Sequence, residues 1–152
     1  MHFSNSVTIQ IHFTERVDKG AMIDILEKDV PYSFDEAVKR VQEAFEVEGF
    51  SVFLTKEIHK IFKEKMGIEN YPKVAFVLGC SGPLAKMALD ASMNMVLLMP
   101  CSVAVFERNG KISVAHLSIM KAGVELGLAP SDKMQPVIEE TGKRVSKIWN
   151  RI

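Results

Sequence analysis

Two cysteines and a glycine-rich turn are the residues of this sequence best suited to chemistry. Cys80 lies in the turn of residues 79–83, between a predicted buried strand and a predicted helix, and Cys101 opens the next predicted strand after Pro100. The free amides and the dipole of a helix N-terminus attract negative charge, so this turn could hold an anion and favour the thiolate of Cys80. The sequence therefore predicts one ligand-binding site, formed by Cys80, Ser81, Gly82 and Cys101.

Three interpretations fit these residues. The first is a site for a small ligand or anion, or a thiol-based site, on a dimeric scaffold. The second is a soft-metal site for copper or zinc, because Met93, Met95 and Met99 precede Cys101 and their sulfur atoms suit soft ions. The third is a structural or interaction module without chemistry, in which both cysteines are buried and inert, as most free cysteines are.

Familiar catalytic motifs are missing from the sequence, which identifies neither a catalytic residue nor a cofactor. The turn lacks the Lys-Ser/Thr pair of a P-loop and the three-glycine spacing of a dinucleotide-binding fingerprint. No Cys-x-x-Cys pair and no Gly-x-Ser-x-Gly elbow occurs. The histidines do not follow a zinc-ligand spacing, and His116, on an apolar strand face, is interpreted as a hydrogen-bonded or edge residue rather than a ligand.

The composition indicates a single compact domain over residues 1–152. Hydrophobic residues make up 47% and charged residues 25%, which is close to the average for globular proteins. The 19 basic residues balance 19 acidic ones, so neither nucleic acid nor a membrane is expected as a partner. The N-terminus has no basic start followed by an apolar run, and the chain has two cysteines, so we expect a cytoplasmic protein with reduced thiols.

Periodicity predicts the elements that position the site, beginning with an N-terminal hairpin. Residues 7–13 alternate between apolar and polar, as a half-buried strand does, and a turn at residues 18–20 could return the chain in a second strand at residues 22–26. Residues 33–36 form a capping-box pattern that starts a helix ending at Gly49. A short strand over residues 50–54 follows this helix.

The second half of the chain continues this alternation of strands and helices. Thr55 is predicted to cap a second helix that ends at Gly67, and residues 74–78 read as a buried strand. Asn109-Gly110 predicts a hairpin, a looser segment follows, and Ser131 is predicted to cap a last helix. The second helix has a predicted inner face of Ile58, Ile61, Phe62 and Met66. The last helix has a predicted apolar face of Met134, Val137, Ile138, Thr141, Val145, Ile148, Trp149 and Ile152.

The order of these elements predicts an α/β (α+β) fold. It is expected to be a two-layer sandwich in which a mixed β-sheet carries its helices mainly on one face. The hairpins require antiparallel pairing, while the strand–helix–strand units favour some parallel pairing.

Three stretches of the chain resemble the DUF302 family, a domain of unknown function with the TT1751-like fold. They are YSFDEAVKRVQEAFEVEGFSVF, LGCSGPLAKMALDASMNMVLLMPCSVAVFE and GKISVAHL, and the match covers residues 32–117, with the N-terminal hairpin and the C-terminal helix flanking it. The family pattern has a Gly-x-Cys-Asn-Pro-like turn and a Leu-Leu-Pro-Cys step. In this sequence Ser81 and Gly82 stand in place of Asn and Pro, and Met99 interrupts the second step.

The resemblance implies a small two-layer α/β fold, a homodimer and no established activity. It also implies that Cys80 and Cys101 belong to one site. Self-association is expected on physical grounds as well, because the apolar face of the last helix continues to Ile152 and a surface of zero net charge offers little repulsion.

Overall fold

The structure, a computed structural model, describes residues 25–152. The strand predicted at residues 7–13, the turn at residues 18–20 and the first part of the predicted return strand lie outside the described residues. In chain order the elements are β1 (Ile25–Val30), α1 (Phe34–Val47), β2 (Ser51–Glu57), α2 (Ile58–Met66), β3 (Val74–Cys80), α3 (Gly82–Ala91), the 3-10 helix η1 (Met93–Leu98), β4 (Cys101–Arg108), β5 (Lys111–Leu117), α4 (Ile119–Glu125) and α5 (Ser131–Arg151).

The strands form one five-stranded sheet in the order β1-β5-β4-β3-β2, and every pair of neighbours is antiparallel. Along β3 the side chains alternate between buried and half-buried, so one face of the sheet is covered by helices. α1 packs on this face, and α5 packs on α1, α3 and α4. The predicted α+β class is confirmed.

The expected parallel pairing is wrong, because the connections after β2 and β3 return the chain to the end of the sheet that it left. Parallel neighbours are joined by a single crossover helix. Here α2 is followed by residues 67–73, and α3 is followed by η1. Each connection therefore consists of a helix and a second segment that brings the chain back. β1 and β2 do run in the same direction, but they lie at opposite edges of the sheet.

Helix α1 forms where the capping pattern predicts it and fixes the end of β3. The hydroxyl of Ser33 accepts a hydrogen bond from the Glu36 amide at 3.2 Å, and Gly49 adopts the left-handed conformation just beyond the helix. The helix buries Phe45 against Gly79, where an added Cβ would lie only 3.2 Å from the ring. A side chain at position 79 would therefore require the Phe45 ring to shift by a few tenths of an ångström.

Helix α2 differs from its prediction. β2 continues through Thr55, whose hydroxyl accepts a hydrogen bond from Gln42 at 2.8 Å, so Thr55 does not cap a helix. α2 ends at Gly67 as predicted, in the left-handed conformation. None of its residues is fully buried. Ile58 and Phe62 are half-buried, whereas Ile61 and Met66 are exposed, so the predicted inner face is wrong at Ile61 and Met66. The helix contacts the start of β3, where the His59 ring lies 3.1 Å from the backbone of Val74.

The C-terminal half combines a predicted hairpin with an unpredicted helix. Asn109 and Gly110 both have positive φ, which is the geometry of a type I′ turn, and they join β4 to β5 as expected. The looser segment expected after β5 is instead α4. Gly123, which suggested a loop, lies within this helix, and the absence of a side chain there lets α4 approach Met95, whose sulfur a Cβ would meet. α5 begins at Ser131, but Pro130 holds the capping position and no side chain caps the helix, so the predicted cap at Ser131 is wrong.

The burial of one face of α1 leads to a prediction of how a buried charge affects stability. Val41 is fully buried in α1, whereas Val47, at the end of the same helix, is exposed. We expect Val41→Asp to lower the free energy of unfolding by about 3 kcal/mol or more, because a carboxylate would be desolvated among apolar side chains. Urea denaturation is the measurement, and Val47→Asp is the matched control, with an expected loss below about 1 kcal/mol. Equal losses in the two variants would contradict the packing of α1.

Candidate functional site

The structure brings the two cysteines of the predicted site together. Gly79 pairs with Cys101 across β3 and β4, so the two strands are neighbours and both thiols lie at one end of the sheet. Cys80, Ser81 and Cys101 line one small cavity of about 10 Å³, whereas Gly82 starts α3 and does not line it. The remaining lining residues are Phe50, Leu84, Ala85, Met99, Pro100, Ile119 and Met120.

Burial, not the helix dipole, dominates the ionisation of these thiols. Removal from water raises the pKa of Cys80, and it raises the pKa of Cys101 to about 11, with a smaller contribution from the neighbouring Cys80. The expected lowering of the pKa of Cys80 is therefore wrong. A helix N-terminus contributes only about 0.3–1 kcal/mol at an exposed site, which desolvation of a thiolate exceeds. Both thiols are protonated at neutral pH.

The cavity beside the cysteines has room for about one water-sized atom. An organic anion does not fit in it without rearrangement, and ligand binding by Cys80, Ser81, Gly82 and Cys101 stays a prediction. The hydroxyl of Ser81 is buried and lacks a hydrogen-bond partner among the described residues.

The methionines suggested as soft-metal ligands are dispersed. Met93 is 69% exposed on η1, and Met95 is fully buried against Gly123. Met99 lies in the wall of the small cavity with Cys101, and Met120 from α4 joins them there. Within residues 25–152, no group of three or more His, Cys, Asp or Glu side chains is placed to hold a metal ion.

A second and much larger cavity, of about 280 Å³, lies between β5, α4 and α5. We call it the His116 cavity. Its lining residues are Leu26, His116, Ser118, Lys121, Ile138, Thr141, Gly142, Val145, Ser146 and Trp149. Its size approaches that of pockets that bind small molecules, and its walls combine apolar side chains with a few polar groups, as such pockets do.

His116 lines this cavity and is held by a hydrogen bond from its ring. The residue is 6% exposed, and its Nδ1 lies 2.8 Å from the carbonyl oxygen of Ser102. Because a carbonyl oxygen can only accept, Nδ1 carries the proton and donates, which leaves a lone pair on Nε2. Burial lowers the pKa of His116, outweighing the opposing effect of the bond to Ser102, so the ring is neutral at pH 7. His116 is hydrogen-bonded, as interpreted from the sequence, but it also lines a cavity, which the sequence did not indicate.

Thr141 and Gly142 shape the opposite wall, on α5. The Thr141 hydroxyl is buried and has no hydrogen-bond partner among the described residues, a state that costs about 1–3 kcal/mol. A Cβ added to Gly142 would meet nothing within 4 Å, although glycine inside a helix is about 1 kcal/mol less favourable than alanine. Thr141 therefore lines the cavity with a hydroxyl that is unpaired among the described residues, and there is open space beside Gly142.

The other walls are apolar, with one charge. Trp149, the only tryptophan of the chain, lies in the wall with Ile138 and Val145. Among the described lining residues the charged one is Lys121. The cavity thus has an apolar part and a cationic, hydrogen-bonding part. Sequence periodicity identified Ile138, Val145 and Trp149 only as part of an apolar helix face.

Comparisons with known proteins agree on the family. A family model described as domain of unknown function DUF302 matches residues 26–152. The crystal structure of an uncharacterized conserved DUF302 protein from Bacillus stearothermophilus superimposes with a TM-score of 0.73 at 18% identity, covering 84% of this chain and 96% of that chain. That identity supports a common fold alone. No curated protein matches the chain significantly. Within residues 25–152, no helix is long and apolar enough to cross a membrane.

The unpartnered hydroxyl of Thr141 leads to a prediction of opposite signs at two threonines. Thr141→Val removes a buried hydroxyl without a partner at nearly constant volume, so the free energy of unfolding should rise by about 1 kcal/mol. Thr55→Val removes a hydroxyl that accepts a hydrogen bond from Gln42. The free energy of unfolding of this variant should therefore stay unchanged or fall by up to about 1 kcal/mol. Urea denaturation measures both values. A less stable Thr141→Val variant would contradict the assignment of an unused hydroxyl.

Proposed function

This chain belongs to the DUF302 family, domains of unknown function, and from that premise we propose that it binds a small molecule in the His116 cavity. The observation that carries the proposal is the unpartnered, buried hydroxyl of Thr141 in the wall of a cavity of about 280 Å³. Buried polar groups in folded proteins are almost always hydrogen-bonded, and a ligand would supply the missing partner.

The lining residues support a small carboxylic acid with an apolar body. Lys121 would attract the carboxylate, and the Thr141 hydroxyl would donate a hydrogen bond to it. The Nε2 lone pair of neutral His116 would accept a hydrogen bond from a hydroxyl or amide of the ligand. The apolar body would pack against Trp149 and Val145. We therefore propose that an anion binds in this cavity, whereas the sequence led us to expect one beside Cys80.

Trp149 makes the proposal testable, because it is the only tryptophan and lies in the cavity wall. We expect 4-hydroxybenzoate, a probe with a carboxylate, a hydroxyl and an aromatic body, to change its fluorescence saturably and to raise the melting temperature. 4-Hydroxybenzyl alcohol, which lacks the carboxylate, and inorganic phosphate, which lacks the apolar body, should bind at least about tenfold more weakly. Equal binding of the alcohol would contradict the acid.

Gly142→Leu provides the matched variant for this titration. Its side chain would enter the open space of the cavity, and the helix would gain stability because leucine is a better helix former than glycine. We expect normal folding and loss of the fluorescence response. Gly82→Leu, also at a helical glycine with open space beside it but outside the cavity, should bind as the wild type does. A saturable response in Gly142→Leu equal to that of the wild type would place the site elsewhere.

We also propose that the chain forms a homodimer through the edge strand β2. Its outer edge has no partner strand among the described residues, and Phe53 on this strand is 61% exposed. Ile61, Met66 and Tyr71, in and just after the helix that follows β2, are exposed apolar side chains as well. Exposed edges and apolar patches favour pairing with another chain, and antiparallel pairing of two β2 strands satisfies a twofold axis.

Sedimentation tests this dimer. At micromolar concentration we expect a species of twice 17.0 kDa in the wild type and a monomer in Phe53→Lys, because each chain would bring a desolvated like charge into the apolar interface. Leu126→Lys replaces an equally exposed apolar residue at the end of α4, outside the proposed interface, and this variant should remain dimeric. A monomeric wild type, or a dimer in Phe53→Lys, would contradict the use of β2.

A further inference from the structure

The small cavity beside the cysteines is lined by four sulfur-containing side chains from three parts of the chain. Cys80 ends β3, Met99 and Cys101 lie on either side of Pro100, and Met120 is in the first turn of α4. Cys80 and Met99 are 19 residues apart in the sequence, and so are Cys101 and Met120, so only the fold brings the three parts together. From this arrangement we propose that the cavity binds one soft monovalent metal ion, with Cu(I) as the ion it is suited to.

The chemistry of the donors selects the ion. Thiolate and thioether sulfur are soft ligands, and together they favour Cu(I) over harder ions such as Mg²⁺ and Ca²⁺. Zinc sites use Cys, His and carboxylate ligands, usually four of them, and the described residues offer no such group of three here. Thioether ligands add little to the affinity for zinc. Zinc would therefore have only Cys80 and Cys101 as ligands here, and two ligands bind it weakly.

The size and lining of the cavity fit a single ion. Its volume of about 10 Å³ holds about one water-sized particle, which excludes a cluster or an organic ligand. The hydroxyl of Ser81, in a residue that is 3% exposed, lies in the same wall and has no hydrogen-bond partner among the described residues. An occupant of the cavity would supply the polar contact that this hydroxyl lacks.

Binding exchanges a proton for the ion. Both thiols are protonated in the empty site, since burial raises their pKa. On binding, a sulfur–metal bond forms, the S–H bond breaks, and the proton leaves to solvent. One thiolate with Cu(I) makes a neutral unit, which suits apolar neighbours such as Phe50 and Ile119, and the copper oxidation state does not change. The site is separate from the His116 cavity, so its test is independent of the proposed function.

The experiment is an anaerobic titration of the reduced, full-length protein with Cu(I) against the chromogenic chelator bathocuproine disulfonate. We expect one equivalent of Cu(I) to be retained, with thiolate-to-copper absorption in the near ultraviolet. Ag(I) should displace it, and one equivalent of Zn(II) should not be retained against a zinc-sensitive dye. Complete loss of Cu(I) to an equimolar chelator, binding of several equivalents, or tighter retention of Zn(II) would overturn the proposal.

Variants assign the site. Cys80→Ser and Cys101→Ser should each weaken the retention of Cu(I), and the two substitutions combined should abolish the absorption band and retention. Met120→Leu should weaken Cu(I) binding by about tenfold while conserving volume. Met95→Leu is the matched control, because Met95 is equally buried and does not line the cavity, and it should bind as the wild type does. Met99→Leu repeats the test at a half-buried position, so a folding defect in one variant leaves the other decisive. Unchanged affinity in both Met99→Leu and Met120→Leu would overturn the sulfur set.

Discussion

The register of the three central strands determines where both cavities lie. Gly79 on β3 pairs with Cys101 on β4, and Val103 on β4 pairs with His116 on β5. The first pairing places the two cysteines at one end of the sheet, and the second places the His116 ring beside the carbonyl of Ser102. A shift of one residue would turn each of these side chains to the other face of the sheet. The ring of Phe45 in α1 packs against Gly79, which has no side chain, and this contact favours the observed register of β3.

Local signals were enough to predict the parts of the fold that local interactions decide. The cap at Ser33, the left-handed end at Gly67 and the turn at Asn109-Gly110 are all read from one to four neighbouring residues, and all are present. The directions of β2 relative to β3 and of β3 relative to β4 depend instead on whether each connection returns to the end of the sheet that it left. That is a long-range property, to which residues 67–73 and η1 contribute without a periodicity of their own.

The candidate sites show the same division. The adjacency of Cys80 and Cys101 followed from two predicted strands, but their pKa values depend on burial, which the sequence pattern does not fix. The apolar face of α5 was predicted as one stripe, yet the structure divides it between the core and a cavity. Met134, Val137 and Ile148 are buried in the core, whereas Ile138, Val145 and Trp149 line the cavity. Helical periodicity cannot separate a side chain that meets the core from one that faces a space inside the protein.

Helix α4 joins the two cavities, because consecutive residues at its start line different ones. Ser118 and Lys121 line the His116 cavity, whereas Ile119 and Met120 line the sulfur-lined cavity. The helix has seven residues, and Gly123 lets it lie close to Met95. The two cavities share this helix but no lining residue, so a substitution in the wall of one leaves the lining side chains of the other in place. One short helix thus borders two cavities of different chemistry, because side chains at successive helical positions point in different directions.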